Sequence, residues 1–225
     1  MIKRTTQIMK EHNHMVRLPM YLIGLLIMTF GISMSVKSNL GVSPVSSIPY
    51  TITCITGLEM GKATILFHIG LVILQILILR KAFQVKNLLQ VIVGVIFGYF
   101  TTFSNYIFSF LPTPHSLPIR LSLMLGSTIL IAIGIFFYLP ADIVPLAGEG
   151  AMKAISDQTH IVFNKVKIGF DISMVIISLI CCLVVLGALG SVGIGTIVSA
   201  ILVGSFLGII TKLFGDNRDR LLQRQ

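Results

Sequence analysis

The sequence predicts an all-α polytopic membrane protein: about six transmembrane helices in two inverted repeats of three, each with a re-entrant or broken segment after its first helix. Three observations lead there. The first is composition, since 55% of the 225 residues are hydrophobic and 11% charged, against roughly 45–50% and about 25% in a soluble domain. The second is continuity. LPMYLIGLLIMTFGISMSV and LLQVIVGVIFGYFTTF are unbroken apolar stretches, so hydrogen bonds within each helix must satisfy the backbone, whereas a barrel would show short alternating segments. The third is self-similarity at an offset of 103 residues.

The elements follow in order. Residues 1–17 are a basic tail in which Glu11, His12 and His14 lie close together, as a charged lead-in explains. The first span, about 18–36, ends in SMSVKSN without a small-x-small cleavage site, and at roughly 19 residues it is long enough to cross. Residues 37–57 (KSNLGVSPVSSIPYTITCITG) are too polar and too broken by Pro and Gly to span, yet too long for a turn. Spans of about 63–80 and 88–110 complete the first repeat, 18–110. The second repeat, 120–213, has spans of about 120–139, 168–187 and 192–213 around a broken segment at 140–162 (PADIVPLAGEGAMKAISDQTHIV). Residues 214–225 are a second basic tail.

Charge orients the chain. Lys and Arg number 17 against 8 Asp and Glu, a net +9, and they cluster at the ends of the apolar runs. In a six-span chain, 14 of them fall on one side and only Lys37, Lys62 and Arg120 on the other. The positive-inside rule then puts both termini in the cytoplasm. The basic balance is explained by topology, with contact to anionic lipid as a weaker addition, and it does not call for nucleic acid.

The offset of 103 lays GKATILFHIG (61–70) over NKVKIGFDIS (164–173), pairing Lys62 with Lys165, Ile65 with Ile168, Phe67 with Phe170, and His68 with Asp171. It also pairs Gly31 with Gly134 and sets VSPVSS (42–47) over PLAGEG (145–150); an offset of 106 aligns Gly98 and Phe100 with Gly204 and Phe206. Three spans per copy force the second copy to enter the membrane upside down, the inverted-repeat plan of many secondary transporters. Each broken segment then dips from its own face as a hairpin tip followed by a short helix. Such backbone is tolerated at depth only where protein or a water-filled cavity surrounds it, so the two tips should meet near the midplane.

Candidate binding residues sit at these tips. Gly41 permits a tight turn, Pro44 suits a first helical position, and Ser43, Ser46 and Ser47 offer hydroxyls at a helix N-terminus suited to an anionic group; the alternative is a capped turn that only packs. The second tip carries Gly148, Glu149 and Gly150, with a carboxylate where the first has Ser46. A carboxylate near the bilayer interior suggests a cation, an amine or a proton, against the alternative of a first-turn Glu compensating a helix dipole. His68 and Asp171 lie about 7.5 Å inside their spans from opposite faces, hence about 15 Å apart in depth. They are expected to be gating or proton-coupling groups on the two halves of a path rather than an ion pair, a packing histidine being the alternative for His68. Asp142 and Lys37, near span ends, are expected to snorkel.

Small-residue ladders, Gly94 with Gly98 and Ala200 with Gly204 and Gly208, mark helix-packing faces. They suit either a crossing of the third and sixth spans at the repeat axis or a homodimer. Cys54, Cys181 and Cys182 lack metal-ligand spacing and suit small core positions. No H-E-x-x-H, G-x-S-x-G or C-x-x-C is present, so no catalytic residue, cofactor or metal is expected and the chain is not expected to be an enzyme.

NLGVSPVSSIPYTI, GEGAMKAIS, KVKIGFDIS and GIGTIVSAILVGSFLG together resemble the YczE/YyaS/YitT group of bacterial membrane proteins, from about residue 18 to 213. The resemblance implies a bacterial inner-membrane protein of about six spans, in a group whose role is largely unassigned and for which transport is the usual suggestion. Relatives often place an aromatic residue after the Ser-Pro that matches Ser43 and Pro44; this chain has Val45 there and no Trp anywhere. The expected function is a secondary transporter or permease for a small polar solute, working by alternating access around the two tips, with the lipid bilayer and that solute as its partners. The competing classes are a non-transporting subunit, substrate-capture component or assembly factor, and an intramembrane enzyme. Against the first, the opening span has no Ala and hence no A-x-x-x-A docking ridge; against the second, no spacing brings a base to a nucleophile.

Overall fold

The computed structural model describes the backbone of residues 2–223 and the side chains of 16–222, so Glu11, His12 and His14 of the tail lie outside the described side chains. Eight α-helices follow one another: α1 (Ile2–Ser38), α2 (Pro44–Thr56), α3 (Met60–Leu79), α4 (Leu89–Ser109), α5 (Leu117–Tyr138), α6 (Ala147–Thr159), α7 (Phe163–Leu186) and α8 (Ile194–Gln223). No strand occurs among the described residues. Six helical segments are long and apolar enough to cross a membrane: Val16–Ser38, Met60–Ala82, Val85–Ser109, Leu117–Ala141, Phe163–Leu186 and Ile194–Leu222. Each covers its sequence-predicted span to within a few residues, except that α8 carries helix well beyond 213.

The two short helices, 13 residues each, are made by local chemistry. Asn39, in the left-handed region at φ 52°, stops α1, and Arg120 holds the freed Ser38 and Asn39 carbonyls from α5. Gly41, at φ 105°, then turns the chain where no side chain fits, because a β-carbon would lie 2.6 Å from Thr196 Oγ1 and 2.7 Å from the Gly193 amide nitrogen. Pro44 opens α2 with a preset φ, and left-handed Gly57 closes it. The second half repeats the device: Asp142 (φ 50°) and His160 (φ 56°) stand 103 residues after Asn39 and Gly57. Asp142 therefore ends a helix as well as meeting solvent.

Packing is reciprocal as well. The broadest contact joins α1 to α5; α2 lies on α7 and α6 on α3, while α4 leans on α1 and α8 on α5. A β-carbon on Gly31 would meet Ile131 Cγ1 at 2.7 Å and the Ser127 carbonyl at 2.9 Å; one on Gly134 would run into Met28 and reach the Gly24 carbonyl at 2.7 Å. These partners exchange when each is moved by 103 positions. The closest crossing between the two halves thus belongs to α1 and α5, not to the third and sixth spans, whose crossing was one of the two uses their small residues suggested. The α4 ladder serves another contact: a β-carbon on Gly94 would lie 2.7 Å from His68 Cβ, and one on Gly98 would strike the Ile65 side chain and the Gly61 carbonyl. On α8, nothing lies within 4 Å of a β-carbon at Gly204 or Gly208, and Ala200 is exposed.

Candidate functional site

The first tip divides its serines between packing and cavity. Ser47 is fully buried; its Oγ donates to the Pro44 carbonyl at 2.6 Å and accepts from Ser178 Oγ at 2.8 Å, so it fastens α2 to α7. Ser43 Oγ donates to Ser46 Oγ at 3.0 Å. Ser46 lines a narrow cavity with Thr64, His68 and Thr101, walled by Phe67 and Phe97 among others. At about 20 Å³ it has room for one water. Thr64 and Thr101 spend their protons on the carbonyls of Met60 and Phe97, both at 2.8 Å, which leaves their oxygens able to accept. His68 is 5% exposed, its ring centroid stands 5.7 Å from that of Phe97, and its Nδ1 is buried without a hydrogen-bond partner. Anion binding at this helix start is curtailed: Pro44 has no N–H, and the Ser46 amide already donates to the Ser43 carbonyl at 3.0 Å.

The second tip is charged and more fully bonded. Tyr138 Oη donates to Glu149 Oε2 at 2.6 Å and accepts the Leu146 amide at 2.6 Å. Its ring centroid is 5.3 Å from that of Tyr21, whose hydroxyl donates to the Val144 carbonyl at 2.7 Å. Burial pushes the Glu149 carboxyl above its ordinary value, while the Tyr138 hydrogen bond and the Lys167 charge pull it down. Gly150 faces two buried amides: Gln75 Nε2 donates to Gln90 Oε1 at 2.8 Å and to the Ala147 carbonyl at 3.2 Å, so α3 and α4 together hold the start of α6. Gly148 stands near the first tip: a β-carbon added there would lie 3.7 Å from Val45 Cγ1.

Asp171 makes no hydrogen bond or ion pair with His68. It pairs with Lys167, Nζ to Oδ2 at 2.7 Å, and its Oδ1 is buried without a partner. Two sets of three side chains result, each on a short helix and the long helix after it. Ser46, Thr64 and His68 form the neutral set; Glu149, Lys167 and Asp171, each 103 positions later, form the charged one.

The family model for "Family of unknown function (DUF6198)" matches residues 15–212. The chain belongs to the DUF6198 family. It is also 28% identical over 188 residues to the "Uncharacterized membrane protein YczE" of Bacillus subtilis (strain 168), covering 83% of this chain and 81% of that protein. No solved structure gives a significant match. With six apolar helices and a membrane-protein relative, this DUF6198 chain is a multi-pass membrane protein.

Among its described residues, no three His, Cys, Asp or Glu side chains gather as metal ligands. Cys182 is buried, whereas Cys54 and Cys181 are half-buried; all three are free. The sequence reading missed Gln75, Gln90, Thr64, Thr101 and Tyr138. A signal for the amides was present: Gln75 interrupts GLVILQILIL, and a polar group inside an apolar span needs a partner.

Proposed function

We propose that the protein is a secondary transporter or permease for a small polar solute, cycling by alternating access around the paired tips of α2 and α6. The observation that carries this reading is the approach of two half-length helices near Val45 and Gly148, with a neutral polar set on one helix pair and a charged set on the other. The reciprocal contacts of α1 with α5, of α2 with α7 and of α6 with α3 support a twofold relation between the halves. With three spans per half, that axis lies in the membrane plane and the repeats are inverted. The distribution of Lys and Arg supports a bacterial inner-membrane location with both termini cytoplasmic, so the Ser46–His68 side faces outward and the Glu149–Asp171 side inward.

In this reading Ser46, Thr64, Thr101 and His68 supply hydrogen bonds in the outer half. Glu149 meets an amine or exchanges a proton, and Asp171 serves the inner path. Ser47 and Gly150 position the tips through packing. The solute passes unchanged, so no catalytic residue is assigned.

The test is a solute screen on purified protein, reading thermal unfolding with a thiol-reactive dye that reports exposure of Cys182. Ligand at 100 times its Kd stabilises by about 2.7 kcal/mol. Amino acids, amines, small carboxylates, vitamins and cations are screened beside the Ser46→Ala and Glu149→Gln variants. A shift seen in the parent and lost in the variants, followed by uptake into proteoliposomes, supports the reading. Ligand shifts that survive both substitutions, or binding without uptake, would overturn it.

A further inference from the structure

The two halves match in their caps, short helices and central crossing, yet they differ at one seam. In the first half α4 lies along α3. Gly98 sits against Ile65 and the Gly61 carbonyl, Gly94 against the His68 ring, and Thr102 Oγ1 donates to Glu59 Oε1 at 2.5 Å. In the second half α8 makes no comparable contact with α7. Ile168, the counterpart of Ile65, is 61% exposed, and Ile172 beyond it is 53% exposed. Ala200, Gly204 and Gly208 stand 106 positions after Gly94, Gly98 and Thr102, and a β-carbon on either glycine would meet nothing. Asp171, the counterpart of buried His68, keeps 20% of its side chain exposed. The same small-residue register is thus closed on its neighbour in one half and open in the other.

We propose that the α3–α4 and α7–α8 seams are the two gates of one cycle, closing in turn, and that this structure is the state with the first gate shut and the second open. The inference rests on the transporter reading and deepens it by naming the moving parts. Closing α8 onto α7 would seat Gly204 against Ile168 and Ala200 against Asp171, as Gly98 and Gly94 now seat Ile65 and His68. Opening α4 from α3 would give the Ser46–His68 cavity a side exit. Two conformations built from equivalent contacts differ little in packing energy, as alternation requires. Lipid covers the open apolar faces while the second gate is apart.

Paired cysteines test this in membranes, in a background with Cys54, Cys181 and Cys182 replaced by Ala. Glu59→Cys with Thr102→Cys reports the first seam, and Val162→Cys with Gly208→Cys reports its counterpart; a short bifunctional thiol reagent links each pair. Both pairs are expected to link within one chain. Gly98→Leu, a wedge in the first seam, should speed linking of the second pair by about tenfold and slow the first. Gly204→Leu is the complementary wedge at a position with free space in this state; it should abolish linking of the second pair and leave the first intact. The proposal is overturned if the second pair never links, if it links only between chains and doubles the mass, or if Gly204→Leu leaves its linking unchanged. These readouts need no solute. Alternating linkage without uptake of any solute would therefore reject the transport reading alone, while uptake without alternation would reject the gates alone.

Discussion

Two glycines one position apart from Glu149 on either side should respond oppositely to the same added methyl group. At Gly150 a β-carbon would lie 2.5 Å from Gln90 Oε1 and 2.8 Å from Gln75 Oε1, both on buried side chains. Gly150→Ala therefore breaks the 2.8 Å Gln75–Gln90 hydrogen bond. An amide left unpaired costs about 1–3 kcal/mol, and overpacking about 1–3 kcal/mol more. Replacing a helical glycine returns about 1 kcal/mol. The expected net loss is about 1–5 kcal/mol, a fall in Tm of roughly 2–20 °C for a chain of this size. At Gly148 the new β-carbon would stand 3.7 Å from Val45 Cγ1 and 4.0 Å from Leu71 Cδ1, ordinary contact distances. Gly148→Ala should then be neutral or stabilising by up to about 1 kcal/mol. Gln90→Ala in the Gly150→Ala background makes room and should recover about half of the loss, a coupling that the double-mutant cycle measures. Equal losses at the two glycines, or strict additivity of Gly150→Ala with Gln90→Ala, would refute the packing argument.

Three further outcomes follow from the tips. Tyr138→Phe removes the hydroxyl that serves both the Leu146 amide and Glu149; a destabilisation of about 2–3 kcal/mol is expected by thermal or denaturant unfolding, and a loss below about 0.5 kcal/mol would contradict that role. Because burial raises the Glu149 carboxyl in the folded state, that state binds more protons than the unfolded chain between the ordinary and the raised value. Stability should fall as pH rises through that window. Glu149→Gln should flatten this part of a Tm profile taken over roughly pH 4 to 8, and a parent profile no steeper than the variant's would count against it. Ser47→Ala strands Ser178 and should cost about 1–2 kcal/mol, whereas Ser46→Ala should leave Tm nearly unchanged and abolish ligand-induced shifts; the reverse pattern would exchange the roles assigned to them.

The six spans and the two broken segments were legible because hydrocarbon solvent imposes long apolar runs and because Gly41, Pro44, Gly57 and Pro145 punctuate the chain between them. Partnership was less legible. Gly94 and Gly98 announce a close helix contact, but a small residue does not name what fills its space; only the folded chain shows His68 and Ile65 there. Glu149 stood out as a buried acid, while its partner Tyr138 lay hidden at the end of an apolar run, 11 residues away. The serines of the first tip looked equivalent along the sequence. Their division into Ser47 for packing and Ser46 for the cavity depends on which face of α2 meets α7, and helical rotation alone decides that.

The mismatch between the two polar sets follows from the architecture. Gates that close through equivalent contacts would be nearly balanced on packing alone, which would leave the cycle without direction. Neutral Ser46, Thr64 and His68 can be dried at little electrostatic cost when α4 covers them, whereas closing α8 over Lys167 and Asp171 must first strip water from charges. That cost holds the second gate open, the arrangement observed. A solute whose groups pair with these charges would take the place of that water and let α8 close. The side chains that break the repeat's symmetry are thus the ones through which binding could drive the exchange of gates.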